Sequence, residues 1–346
     1  MKYPAALQMG DVIGITATST GVTGVFEKKL DNAIRQMREL GFPTMETESV
    51  RQEKKLVSSH AEQRTKEFME LWKRRDVNTI IPPWGGIFLM EILEHLSTVL
   101  DAEKNPTPTL PKWVVGFSDT STLLFYLTVT HDFASVHGPN MLDFGNDPID
   151  PSVKKLLDVL KLSSGEAFSQ TSFDFYQKHW LEVTDTSFPP FHKTEKVEWK
   201  SLRGKGPIQF QGRLIGGCLD TISTLIGTPY APVQSFIERY KGDGFIWYFE
   251  SCGMNAEEIY RALWQMKHCG WFEHCNGFLY GRPEGYRDEE DFELTDALEK
   301  TFASANIPVI YDVDIGHLPP QMVLVNGAMA DVTYEDGKGK IVQRLI

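Results

Sequence analysis

Ser118 stands where an apolar run meets a helical pattern, in Trp113-Val-Val-Gly116-Phe117-Ser118-Asp119-Thr120. A glycine two residues before a serine at a strand-to-helix junction permits the sharp turn of a nucleophile elbow, which lifts the hydroxyl above the sheet. The helix that follows offers unpaired N–H groups and partial positive charge to an oxyanion. The fifth position departs from G-x-S-x-G, because it is Thr120. Without partners, Ser118 or Asp119 reads equally as a helix N-cap, the commoner use of both residue types.

A serine hydroxyl becomes a strong nucleophile only beside a base that a third group orients. Two later runs end in suitable side chains. Phe245-Ile-Trp-Tyr-Phe-Glu250 carries five apolar residues into a carboxylate, and Val309-Ile-Tyr-Asp-Val-Asp-Ile-Gly316-His317 runs into a glycine turn bearing a histidine. Functional side chains gather at the carboxyl ends of parallel strands. His137 competes with His317 as the base, and Asp312 and Asp314 compete with Glu250 as the acid. A further cue is Thr79-Ile-Ile-Pro-Pro-Trp84-Gly85-Gly86, a strand ending in two glycines. The amide of Gly85 or Gly86, paired with that of Asp119, could complete an oxyanion hole. Cys252 lies two residues after Glu250 with neither an elbow nor an evident basic partner. The dipeptides His268-Cys269 and His274-Cys275 are poorly spaced for zinc, because adjacent ligands cannot easily both face one ion. No metal and no cofactor are expected.

These groups need a scaffold, and the first half of the chain alternates β-branched runs with amphipathic patterns, the signature of crossover units and a parallel sheet. Strands are expected over 11–16, 79–82 and 112–117, and helices over 26–40, 63–74, 88–100 and 120–129. From 163 to 206 the periodicity dissolves into an aromatic stretch that includes Phe168, Phe173, Phe175, Tyr176, Trp180, Phe188, Phe191 and Trp199. An irregular stretch of that length reads as a lid or ligand wall, or as a linker whose aromatics dock on the surface. Regular patterns resume with strands over 209–215, 245–249, 277–280 and 308–313, and helices over 219–225, 256–268 and 295–304. A closing hairpin is expected around Asn326-Gly327. The chain therefore divides into 1–162 with the nucleophile, a connecting insertion over 163–206, and 207–346 with the acid and base.

With 346 residues the chain exceeds one comfortable core. A net charge of -12 and a pI near 5.3 oppose binding to nucleic acid polymers or anionic membranes. The N-terminus lacks the apolar stretch of a signal peptide, no run approaches a membrane span, and the four cysteines are too few for a disulfide framework. A cytoplasmic protein is expected.

Taken together, the run Arg64 through Gly86, Pro111-Lys112 to Gly116-Phe-Ser-Asp119, His137-Gly-Pro139, Gly212-Arg-Leu-Ile-Gly216-Gly217, Phe249-Glu250 and Gly316-His317 resembles the LD-carboxypeptidase and microcin C immunity family. The resemblance implies a metal-free serine hydrolase, usually a homodimer. Its N-terminal parallel-sheet domain is Rossmann-like, and a β/α domain follows. It also implies Ser118 as nucleophile, Glu250 as acid, His317 as base, and the Gly86 and Asp119 amides as the oxyanion hole. Many LD-carboxypeptidases carry asparagine after the second glycine pair, where this chain has Cys218. The aromatic insertion and Gly281-Arg-Pro-Glu-Gly-Tyr286 look more like the microcin C immunity branch, whose enzymes cut an aminoacyl or peptidyl group from a sulfamoyl- or phosphoramidate-linked adenosine. That implies an aromatic platform for adenine, with Trp180 first and Phe175 and Tyr176 next, close to Gly85. The alternatives are muropeptide cleavage in cell-wall recycling, and a nucleotide- or peptide-binding protein without chemistry.

Overall fold

Crossover units organise the computed structural model, which describes residues 1–102, 110–180, 188–287 and 291–346. The first half runs β1 (Val12–Ile15), α1 (Val25–Glu39), β2 (Thr44–Glu46), α2 (Ala61–Lys73), β3 (Val77–Ile80), α3 (Glu91–Ala102), β4 (Trp113–Gly116), α4 (Thr120–His131), β5 (Ser135–His137) and α5 (Pro151–Leu160). Then come β6 (Ala167–Thr171), β7 (Phe175–Tyr176), β8 (Glu195–Lys196), β9 (Lys200–Ser201), β10 (Ile208–Cys218), α6 (Leu219–Ile222), α7 (Val233–Tyr240), β11 (Phe245–Glu250), α8 (Ala256–His268), β12 (Cys275–Gly281), α9 (Leu294–Phe302), β13 (Val309–Val313), β14 (Leu324–Asn326), β15 (Met329–Glu335) and β16 (Lys338–Arg344).

Two main sheets result, ordered β14-β5-β4-β3-β1-β2 and β6-β16-β15-β10-β11-β12-β13-β9. In the first, β1 to β5 are parallel and β14 is antiparallel. In the second, β10 to β13 are parallel and the outer strands antiparallel. Sequence and pairing agree here. The parallel strands β4 and β11 are buried at every position, as continuous apolar runs require, whereas β15 and β16 alternate.

Two expectations are corrected. The stretch 163–206 is not structureless: β6 extends one edge of the second sheet and β9 the other, and Trp199 is fully buried. Its strands are short and its partners lie far along the chain, so local periodicity is weak. Nor do β14 and β15 form a hairpin. β14 pairs with β5 in the first sheet, and the closing hairpin is β15–β16, turning at Asp336-Gly337 with positive φ at both residues.

Helix α4 is buried at every position but Thr130, which explains its apolar residues all round. One core cluster joins α2, α3 and α4 to Trp247, Phe249, Phe278 and α8. The Phe125 ring lies 5.3 Å from Trp271 and 6.2 Å from Trp247. Helix α4, which follows Ser118, is thus wedged between the two halves. Among the described residues no helix is long and apolar enough to cross a membrane.

Candidate active site

Ser118 closes the turn from β4 to α4 with φ of 59°. That left-handed conformation is costly for a residue with a Cβ and marks positions the surrounding structure enforces. Asp119 takes the N-cap position, yet its side chain makes no cap bond. Instead its Oδ2 accepts from Ser19 Oγ at 2.6 Å and from the Leu89 amide at 2.9 Å. Burial pushes this carboxyl above its ordinary range. The capping reading therefore fails for the Asp119 side chain, which instead ties the Ser118 turn to the loops after β1 and β3.

Arg64 braces the same loops from below. Fully buried, it donates to the carbonyls of Thr18 at 2.8 Å, Phe88 at 3.0 Å and Ser59 at 2.9 Å, and pairs with Glu91. The loop it holds brings Gly85 against Ser118. A Cβ on Gly85 would lie 2.8 Å from Ser118 Cβ and 3.0 Å from the Asp119 nitrogen, so a larger residue cannot sit there undisturbed.

Glu250, at the end of β11, and His317, in the loop after β13, meet with His317 Nδ1 donating to Glu250 Oε2 at 2.8 Å. Glu250 is fully buried and His317 is 8% exposed. Gly316 is the reason the loop fits: its φ is 101°, and a Cβ there would come 2.5 Å from Glu250 Oε2. Burial alone would lower the His317 pKa, but the Glu250 carboxylate and the sulfur of Cys252 outweigh it and hold the ring well above its ordinary value. Burial alone would raise Glu250, and the His317 cation holds it below.

The competitors are engaged elsewhere. His137 is fully buried, neither ring nitrogen has a hydrogen-bond partner among the described residues, and burial pulls its pKa down to about 4. Its ring touches Phe117 edge-on at 6.4 Å, and Phe117 in turn meets His317 at 5.0 Å. Asp312 pairs with Lys200 at 2.8 Å. Asp314 binds Arg282 and accepts from Trp199 Nε1 at 2.8 Å. Cys218 is buried beside Glu250 in strand register, and burial pushes its thiol far up. Cys252 does have a basic neighbour, His317, which the chain separation of 65 positions conceals. His268 ends α8 against Trp264, with ring centroids 4.2 Å apart, and Cys275 donates to the Gly277 carbonyl at 3.3 Å. No cluster of three or more metal-ligating side chains occurs among the described residues.

Ser118, His317, Gly85 and Gly86 line one cavity of about 470 Å³, with Trp180 in its wall. Phe175 and Tyr176 lie outside that lining, and Tyr176 stacks instead under Arg282 at 4.5 Å. Sequence reading missed Phe26, Lys29, Trp84, Asn140 and Asp143, which are among the other residues of the wall. Trp84 adjoins the glycine pair and could have been suspected from that position alone. Phe26 and Lys29 look like ordinary residues of an amphipathic helix.

Comparison with known proteins identifies the family and the fold. The LD-carboxypeptidase N-terminal domain profile matches residues 13–138, and the LD-carboxypeptidase C-terminal domain profile matches 211–332. A Vibrio cholerae protein named as a carboxypeptidase is 25% identical, covering 100% of this chain and 99% of its own. The microcin C7 self-immunity protein MccF of Escherichia coli is 22% identical, over 99% and 96%. A solved structure of MccF in complex with aspartyl sulfamoyl adenosine superposes with a TM-score of 0.80 at 20% identity, covering 99% of each chain. The protein shares their two-part α/β fold, and it belongs to the LD-carboxypeptidase family.

Proposed function

We propose that the protein is a serine hydrolase that cuts the amide joining an acyl group to a nucleotide-like leaving group. In this reading 1–162 supplies the nucleophile, 207–346 the acid and base, and 163–206 part of the wall. Ser118 Oγ bonds to the acyl carbon while its proton passes to His317, oriented through Nδ1 by Glu250. The amides of Gly86 and Asp119 receive the oxyanion. The leaving nitrogen departs with the proton from His317, and a water deprotonated by the same ring then hydrolyses the acyl-serine. The observation that carries the reading is the shared cavity, which brings Trp180 to the same space as Ser118 and His317. An indole there offers a stacking face for a base, an interaction of about 1 to 3 kcal/mol. MccF binds an aspartyl sulfamoyl adenosine.

The family name supports a second reading with the same chemistry, cleavage of a muropeptide tetrapeptide, which needs no base platform. The experiment offers purified protein aspartyl-sulfamoyl-adenosine and a muropeptide tetrapeptide side by side. Ser118→Ala, Glu250→Ala and His317→Ala are each expected to remove most turnover without additivity, since the three act as one unit. Trp180→Ala is expected to slow the adenylate alone. Parental rates in Ser118→Ala would remove Ser118 as the nucleophile, and no turnover of either substrate by the parent would leave a binding protein in place of the enzyme.

A further inference from the structure

We propose that Lys29 recognises an anionic group on the leaving-group side of the scissile bond, so that good substrates carry a phosphoryl, sulfamoyl or carboxylate charge beyond the bond that Ser118 attacks. The inference rests on the hydrolase reading above and deepens it.

Lys29 lies on α1 and lines the cavity that holds Ser118, His317 and Trp180. Phe26, one turn earlier on the same helix face, packs against Trp84 with ring centroids 5.0 Å apart. Trp84 directly precedes Gly85. The wall beside the glycine pair therefore includes Trp84, Phe26 and Lys29, with Lys29 one helical turn from Phe26. Among the described residues that ammonium has no hydrogen bond and no ion pair; its described contact is the Phe188 ring, 6.0 Å away.

A half-buried cation without a partner is costly, and such groups gather where a ligand completes them. Burial draws the Lys29 pKa down, against the pull of Asp143. Asp143 is a poor partner: one carboxyl oxygen already accepts from the Asn140 amide at 2.9 Å, and burial pushes its pKa up. Asn140, 3% exposed, lines the same cavity, and its Oδ1 is buried against Gly116 without a partner among the described residues.

Charge elsewhere around the triad has the opposite sign. Asp220 accepts from the Cys252 amide at 3.0 Å, and the Cys252 thiol donates to Glu284 at 3.2 Å, close to His317. An anion is repelled from that quarter and drawn to Lys29. The charge could come from a nucleotide phosphoryl or from the free carboxylate of a departing amino acid, and the experiment separates these sources.

Calorimetric titration compares adenosine monophosphate with adenosine, and D-alanine with D-alaninamide, on the parent, Lys29→Met and Lys29→Arg. Methionine nearly conserves the side-chain volume and removes a buried charge, so the variant is expected to melt no lower than the parent. The parent is expected to prefer the charged member of one pair about tenfold or more, as a charge-assisted hydrogen bond allows. Lys29→Met is expected to lose that preference while binding the neutral member as before, and Lys29→Arg to keep much of it. Preference within the adenosine pair assigns a phosphoryl-type anion, and preference within the alanine pair assigns a carboxylate. Equal or absent binding within both pairs, or a preference that survives in Lys29→Met, overturns the proposal even where hydrolysis is found. A preference lost in Lys29→Met without any hydrolysis by the parent leaves Lys29 as an anion site and removes the enzymatic reading instead.

Discussion

At the scale of the residue, the Glu250–His317 pair makes activity and stability respond oppositely to pH. In the proposed role of base, His317 must be neutral, and its pKa stands well above the ordinary 6.5. The rise of kcat/KM with pH is therefore expected to have its midpoint above 6.5. The stabilising effect runs the other way. The raised His317 pKa contributes fully below 6.5 and fades as pH climbs through its folded value. The lowered Glu250 pKa contributes fully above 4.5 and fades as pH falls through its folded value. Thermal melts of the parent and of His317→Gln across this range check the second half, with the parent's advantage largest between 4.5 and 6.5. A constant difference between the two melting temperatures, or an activity midpoint near 5, would show that the pair is not coupled in this way. Ser118, Glu250 and His317 stand out in the sequence because each follows an apolar run: Glu250 ends β11, Ser118 lies between β4 and α4, and His317 sits in the loop after β13. Lys29 and Asn140 do not, because nothing local separates them from surface and turn residues.

At the scale of the element, the loop after β3 lies against Ser118, and the proposed chemistry depends on that approach. Gly85→Ala places a methyl within 3.0 Å of the Asp119 nitrogen and against the Ser118 side chain. Relief requires the loop to withdraw from the nucleophile, taking the Gly86 amide with it. Loss of one oxyanion donor lowers kcat by roughly 10² to 10³, and a loss of that order is expected here, with the circular dichroism spectrum and melting temperature nearly unchanged. Parental kcat in this variant would mean that the approach of Gly85 to Ser118 has no catalytic consequence. Core elements of this kind were readable from the sequence: α8 spans Ala256–His268, as its apolar spacing predicts. Helix α5 was passed over although Asp150 accepts from the Ser152 amide at 3.0 Å and Pro151 opens the helix, a start signal independent of periodicity. Strands β6 and β9 escaped detection because their pairing partners, not their own patterns, make them strands.

At the scale of the whole molecule, two sheets share one core, so the intact protein is expected to unfold in a single transition. Helix α4 from the first half packs within the same cluster as Trp247 and Trp271 from the second. Urea unfolding followed by tryptophan fluorescence and by far-ultraviolet circular dichroism is expected to give coincident curves. Two separated midpoints would show that the halves are thermodynamically independent. The family pattern gave the two-part architecture, yet nothing in the residues around 324–326 announces that they return to the first sheet, because a three-residue apolar strand fits either one.

That return has a consequence for how the chain is made. Ser135 and Asn326, which face each other across β5 and β14, lie 191 positions apart. While the polypeptide is being synthesised, β5 waits as an open edge, beside the strand that leads into Ser118, until β14 has been made. Open edges of this kind invite pairing with other chains. The nascent protein is therefore most exposed to such pairing in the interval between the synthesis of β5 and that of β14.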